Sequence, residues 1–241
     1  MEIQRINNTN LKKYDNHIEQ AVKLYINIFS EPPYLEKFDF QEVKTEFLEY
    51  VNEGCLLLSI KDEVVIGFMA SSFGLNHGCD SSFIEEANQS GFDCQKDVYI
   101  SELGVSKEYR GLKVGKELVN RFMEIFDKDN IFLRTGVENN DFVINFYKKY
   151  GFHITNIREN VKNLRCDRTI VEDERLYMFR PKPLKYEFDL VNNHSQHSKT
   201  HHGHIRHHSG SEYLYGTHGH YDGEPSLMTG GYSSGSEGLY G

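Results

Sequence analysis

Along Val98 to Phe126, VYISELGVSKEYRGLKVGKELVNRFMEIF, the apolar residues of one extended run change parity. Val98 and Ile100 fall on one face of a strand, Leu103 and Val105 on the other. A strict two-residue period does not allow this without an extra residue, which predicts a β-bulge near Ser101 to Leu103 and a backbone N–H left out of the ladder. The strand runs into Arg110-Gly111-Leu112-Lys113-Val114-Gly115-Lys116, and the spacing of Val114, Leu118, Phe122 and Ile125 predicts an amphipathic helix. Unpaired N–H groups at a helix start, small residues that permit close approach and nearby cations suit a polyanion such as a pyrophosphate. A Walker loop needs four residues between its glycines and a Ser or Thr after the Lys. Here Leu112, Lys113 and Val114 intervene and Glu117 follows Lys116.

Arg110 to Gly115 resembles the pyrophosphate signature of the GNAT superfamily of N-acetyltransferases, Arg/Gln-x-x-Gly-x-Gly/Ala, with Lys113 in place of the middle glycine. A second stretch, Asn140 to Phe152 (NDFVINFYKKYGF), resembles the family's later helix, with Val143 in its Ala place and the strand Ile131 to Val137 between the two motifs. The resemblance implies an α/β (α+β) fold: a central mixed, mostly antiparallel twisted sheet flanked by helices and splayed between the fourth and fifth strands. It implies acetyl-CoA as co-substrate and direct attack of a primary amine in a ternary complex. The N–H groups around Leu103, Gly104 and Val105 would grip the thioester carbonyl. Arg110 would cap or steer the pyrophosphate, and the amides of Gly111, Leu112, Lys113, Val114, Gly115 and Lys116 would bind it. Asn140 would bond the pantetheine arm, and Tyr147 would face the departing thiolate as a proton donor. Phe142 and Phe146 share the helix of Tyr147, so a packing role for it stays open.

Acetyl transfer to an amine needs a neutral nucleophile, a stabilised oxyanion and a proton for the thiolate. Glu102 lies inside an otherwise apolar strand, where desolvation raises a carboxyl pKa toward the range useful for a base. An alternative role is a wall residue that orients the acceptor's ammonium.

The first 75 residues supply a frame. Glu2 to Ile6 reads as an edge strand, Ile18 to Phe29 as a helix stopped by Pro32-Pro33, and Phe40 to Val51 as a second helix. Gly54 to Ile60 and Val64 to Phe73 read as a hairpin turned at Lys61-Asp62-Glu63. By analogy with the family, Glu31, Tyr34 and Phe38 would lie near the acceptor pocket. Asn76 to Asp97 reads as an irregular insertion; folded over the site, Asp80, Glu85 and Glu86 would make its entrance negative. His77 lacks a spaced partner for metal binding. Phe152 to Ile157 and Asp173 to Arg180 read as the closing strands, stopped by Pro181 and Pro183.

We place the acetyltransferase domain at 1–190 and a low-complexity tail at 191–241. Nine of the 12 histidines lie in that tail, among Gly, Ser and Tyr, with too few aliphatic residues to order it. Ser209–Gly216 (SGSEYLYG) recurs as Ser234–Gly241 (SGSEGLYG). Divalent metal binding by the tail histidines stays open as a partner, as does a homodimer; no metal ligand is assigned in the domain. Cys55, Cys79, Cys94 and Cys166 form no C-x-x-C pair and read as buried free thiols in a reducing cytosol. No apolar run approaches a membrane span and no signal peptide begins the chain, so the expected location is cytoplasmic. A net charge of −9 argues against nucleic acid and favours a small cationic amine as acceptor. A protein N-terminus or a lysine, including Lys199 of the tail, is the alternative acceptor. From another class, an acetyl-CoA-sensing or metal-binding protein is the rival.

Overall fold

The computed structural model describes residues 1–32, 34–75, 79–137 and 141–183. Asn140, His77, the boundary at 190 and the histidine-rich tail lie outside the described residues.

The parity change resolves as a bulge. In strand β4 (Val98–Val105), Ile100 pairs with Ser71 and Glu102 pairs with Ala70 of β3 (Val64–Phe73), so Ser101 is the extra residue. The extra residue rephases the strand. Val98, Ile100, Leu103 and Val105 all enter one core cluster, beneath helices α4 (Val114–Ile125) and α5 (Asp141–Lys148). Glu102 and Gly104 are thereby turned to the opposite face, that of α1 (Leu11–Ser30) and α2 (Phe40–Glu53). Gly104 is required there by packing, since a Cβ would lie 2.5 Å from Phe68 Cζ and 3.0 Å from Ile28 Cδ1.

The remaining strands are β1 (Glu2–Ile6), β2 (Gly54–Lys61), β5 (Ile131–Gly136), β6 (His153–Leu164) and β7 (Ile170–Arg180), in the order β1-β2-β3-β4-β5-β7-β6. All neighbours are antiparallel except β4 and β5, whose parallel ladder holds Val98–Ile100 against Ile131–Leu133. Past those residues the two strands no longer pair, which is the splay the family resemblance implied. On the α1/α2 face, Tyr25, Phe29, Phe47 and Phe68 make an aromatic core. Asp39 caps α2, accepting from Gln41 N at 2.8 Å and Glu42 N at 3.1 Å.

Three expectations need correction. The insertion after β3 is not irregular: it contains α3 (Ser81–Gln89), whose Phe83, Ile84 and Ala87 make an apolar stripe over Phe92, Tyr99, Phe132, Tyr177 and Phe179. Asp80 is the helix cap, accepting from Phe83 N at 2.8 Å, and Glu85 and Glu86 are exposed on that helix. The closing hairpin is longer than expected because inward positions of β6 hold Thr155, Glu159 and Asn163, which hides its alternation from a hydrophobicity reading. Of the thiols, Cys55 and Cys94 are buried, but Cys166 is exposed at the tip of that hairpin and Cys79 is half-buried. Among the described residues, no helix is long and apolar enough to cross a membrane.

Candidate active site

The alternation of β4 fixes which amides face the splay. Ser106 N donates to Ile66 O of β3 at 2.9 Å, so Gly104 N, two residues back, also points at β3. Leu103 and Val105 therefore aim their N–H groups at the gap left by β5. Of the three residues expected to grip a carbonyl, two point into the opening; Gly104 serves the core instead. Arg110 is tied to the same edge, its Nε donating to Val105 O at 3.3 Å, which holds the following loop against the strand end.

That loop needs left-handed backbone twice: Gly111 has φ 79° and Lys113, the residue that starts α4, has φ 65°. A Cβ at Gly111 would meet nothing within 4 Å, so the space beside the loop is open. No side chain caps α4, and the first helical bond recorded there is Glu117 N to Lys113 O at 3.0 Å. The amides of Val114, Gly115 and Lys116 are left for a ligand at the positive end of the helix dipole. A cradle of open amides with Lys113 and Lys116 beside it fits a pyrophosphate. Lys113 holds a conformation that glycine adopts at no steric cost. Lys113→Gly is expected to stabilise the fold by roughly 0.5–1 kcal/mol, seen as a rise of a few degrees in Tm by thermal denaturation.

Glu102 is 1% exposed, and neither carboxyl oxygen has a hydrogen-bond partner among the described residues. Burial, with the charges of Glu46 and Glu36 behind it, pushes its pKa well above the usual carboxylate range; Arg134 and Arg175 pull the other way. Glu36 is itself buried and raised to about 7, mainly by desolvation and against the pull of Arg175. Glu46 of α2 is raised to about 8 by burial and by Glu49 and Glu42. Tyr25 and Tyr50, both buried, complete the surroundings; burial and then Glu102 raise their pKa values. On the other face of β4, Tyr147 is fully buried with its hydroxyl unpartnered among the described residues. Burial comes first in raising its pKa, followed by Tyr150 and Glu102, so the two groups sense each other at the splayed strand.

The α1–α2 connection forms a strap over the Glu102 side. Lys37 N donates to Leu164 O at 2.9 Å, Cys166 N to Leu35 O at 2.7 Å, and the Cys166 thiol to Glu36 O at 3.3 Å. Leu35 takes a left-handed φ of 54° in that strap, a conformation of a kind that persists only where its surroundings enforce it. Of the residues expected here by analogy, Tyr34 is half-buried beside Glu36, Phe38 belongs to the aromatic core and Glu31 is exposed past the end of α1. Glu36, Glu46, Tyr25 and Tyr50 escape a reading of the sequence alone. A carboxylate on the inward stripe of an aromatic helix, as Glu46 is, was the available signal.

With this geometry in view, comparison with known proteins gives the family. The acetyltransferase (GNAT) family profile matches residues 19–152, more than half of the chain, and the chain belongs to that family of acetyl-CoA-dependent acyltransferases. It is 37% identical over 70 residues to N-alpha-acetyltransferase 50 of Danio rerio, a match spanning 27% of this chain and 41% of that protein. It is 38% identical over 69 residues to the probable N-acetyltransferase san of Drosophila melanogaster, covering 27% of this chain and 37% of the other. The matched stretch thus spans about two fifths of these curated relatives. Among solved structures, PH1933 from Pyrococcus horikoshii superposes with a TM-score of 0.50 at 16% identity, covering 76% of this chain and all of that one, a likeness of fold.

Proposed function

We propose that this chain transfers the acetyl group of acetyl-CoA to a primary amine that reaches Glu102 beneath the strap. The observation that carries this is the buried Glu102 carboxyl, without a hydrogen-bond partner among the described residues, beside a strand edge whose Leu103 and Val105 amides face the gap. Acetyl-CoA supplies the thioester carbon that the amine attacks and the thiolate that leaves. The gap amides hold the developing oxyanion in this reading, at a site where burial strengthens each such bond. Glu102, once ionised, takes the ammonium proton, directly or through a water. Tyr147 keeps its own proton for the thiolate. Lys113, Lys116 and the α4 amides anchor the pyrophosphate, so the reacting carbonyl is held while the amine arrives.

The acceptor class favoured is the α-amine of a peptide, on the printed names of the zebrafish and fly relatives. A small cationic amine is the second reading, supported by the convergence of Glu36, Glu46 and Glu102. A thiol-release assay with acetyl-CoA, run across short peptides with free and blocked N-termini and across polyamines, separates them. Release is expected with free-amine peptides and to vanish when the amine is blocked, with the acetylated product found by mass spectrometry. Release with polyamines alone would favour the second reading. Acetyl-CoA binding without release for any amine would overturn both.

A further inference from the structure

Arg175 is 6% exposed, and its guanidinium keeps a small opening to solvent. Its nearest anion is the Asp173 carboxylate at 3.9 Å, beyond hydrogen-bond range, and among the described residues its guanidinium donates no hydrogen bond. The β-register explains why. Opposite Arg175 stand Gly136 of β5, which offers no side chain, and Glu159 of β6. Glu159 is already taken: Arg134 donates to it at 2.9 Å and the Tyr177 hydroxyl at 2.8 Å. Alternation along β7 sends Leu176 and Met178 beneath α4 and α5, so Arg175 projects onto the face that holds Glu102 and the strap. Its charge is felt there at Tyr34, Glu36, Tyr99 and Glu102. A guanidinium largely buried yet open to solvent, with no hydrogen-bonded anion among the described residues, can take one from a ligand, and its planar fork of donors matches a carboxylate bidentately.

We infer that Arg175 is a specificity-determining anchor for a carboxylate borne by the acceptor, so that the acceptor is zwitterionic: its amine meets Glu102 while its carboxylate meets Arg175. This deepens the proposed function and rests on Glu102 marking the acceptor site. The carboxylate comes either from an amino acid's own terminus or from an acidic side chain at the second position of a peptide. A purely cationic polyamine would leave the guanidinium unpaired.

The test uses the full chain with acetyl-CoA and matched acceptors: amino acids against their amides, and tripeptides with Glu against Gln at the second position. The carboxylate member of at least one pair is expected to have a kcat/KM higher by ~10-fold or more, the range of a charge-assisted bond. That ratio should fall toward one in Arg175→Met and be partly kept in Arg175→Lys. Tm is expected to hold or rise in Arg175→Met, because a largely buried charge without a hydrogen-bonded anion is removed. The inference is overturned by ratios of one or less in the wild type, by a preference that survives Arg175→Met, or by a marked loss of Tm. Such a loss would assign the guanidinium to the fold's own ion network. If no amine releases thiol, the acetyl-transfer reading fails separately. Calorimetry of the N-acetylated acids against their amides, with CoA present, then applies the same ratios to binding alone.

Discussion

Replacing Glu102 with Gln is expected to lower kcat/KM by roughly 10²- to 10⁴-fold, the span of a lost general base. The carboxyl must be ionised to accept a proton, and burial, Glu46 and Glu36 hold its pKa well above 4.5. Activity of the wild type should therefore climb with pH as Glu102 ionises, and the variant should lose that limb. The stability consequence has a definite sign. A carboxyl whose pKa is raised by folding keeps a proton that the unfolded chain releases, so its stability contribution is full below the unfolded value of about 4.3. Stability then falls as pH rises from there toward the folded pKa. Gln carries no such proton. Melting curves should show the variant gaining on the wild type as pH rises above about 4, while pH–rate profiles show it losing activity. A rise in KM with kcat retained would instead make Glu102 a group that orients the ammonium.

This combination of a destabilising carboxyl and an open edge was partly legible in the chain. The parity shift between Ile100 and Leu103 was enough to place the bulge, because a two-residue period leaves no other way to bury all four apolar residues on one side. The loop glycines read as room for a polyanion, but the left-handed backbone at Lys113 was not legible, because a lysine gives no sign of positive φ. What stayed hidden depends on contacts between segments far apart in sequence. Glu36 on the strap, Glu46 on α2 and Arg175 on β7 acquire meaning only when the sheet brings them to Glu102. Arg175 sits in a run of charged residues, Glu172, Asp173 and Glu174, that reads as a solvated strand. Its burial follows from the long hairpin, which inward-facing Thr155, Glu159 and Asn163 disguise. The helix in the insertion is hard to see in the sequence because Asp80 and Glu85 look like charge for an entrance. Asp80 in fact accepts from the Phe83 amide, and Glu85 accepts from the Gln89 side chain at 3.3 Å.

Tyr147→Phe is the substitution for which activity and stability should move in opposite directions. The hydroxyl is buried without a partner among the described residues, so its removal is expected to leave stability unchanged or raise it, by up to roughly 1–3 kcal/mol of relieved desolvation, with Tm moving the same way. The ring contacts are kept: Phe146 and Phe152 lie at centroid distances of 5.3 and 5.4 Å, and neither depends on the oxygen. Turnover should fall, since the departing thiolate loses its proton source. The fall is limited to about 10- to 100-fold, because a thiol with pKa near ~8.5 leaves tolerably without help. Burial holds the phenol proton firmly, so the donor stays loaded throughout the working pH range. Steady-state kinetics at saturating acceptor and calorimetry of CoA binding decide the matter, with thermal melting checking that the fold is kept. A packing tyrosine would keep kcat in the Phe variant, because the ring is retained; a proton donor held in an apolar wall loses kcat and keeps CoA affinity. An unchanged kcat would remove Tyr147 from the chemistry and leave its unsatisfied hydroxyl to be explained by the path of the pantetheine arm.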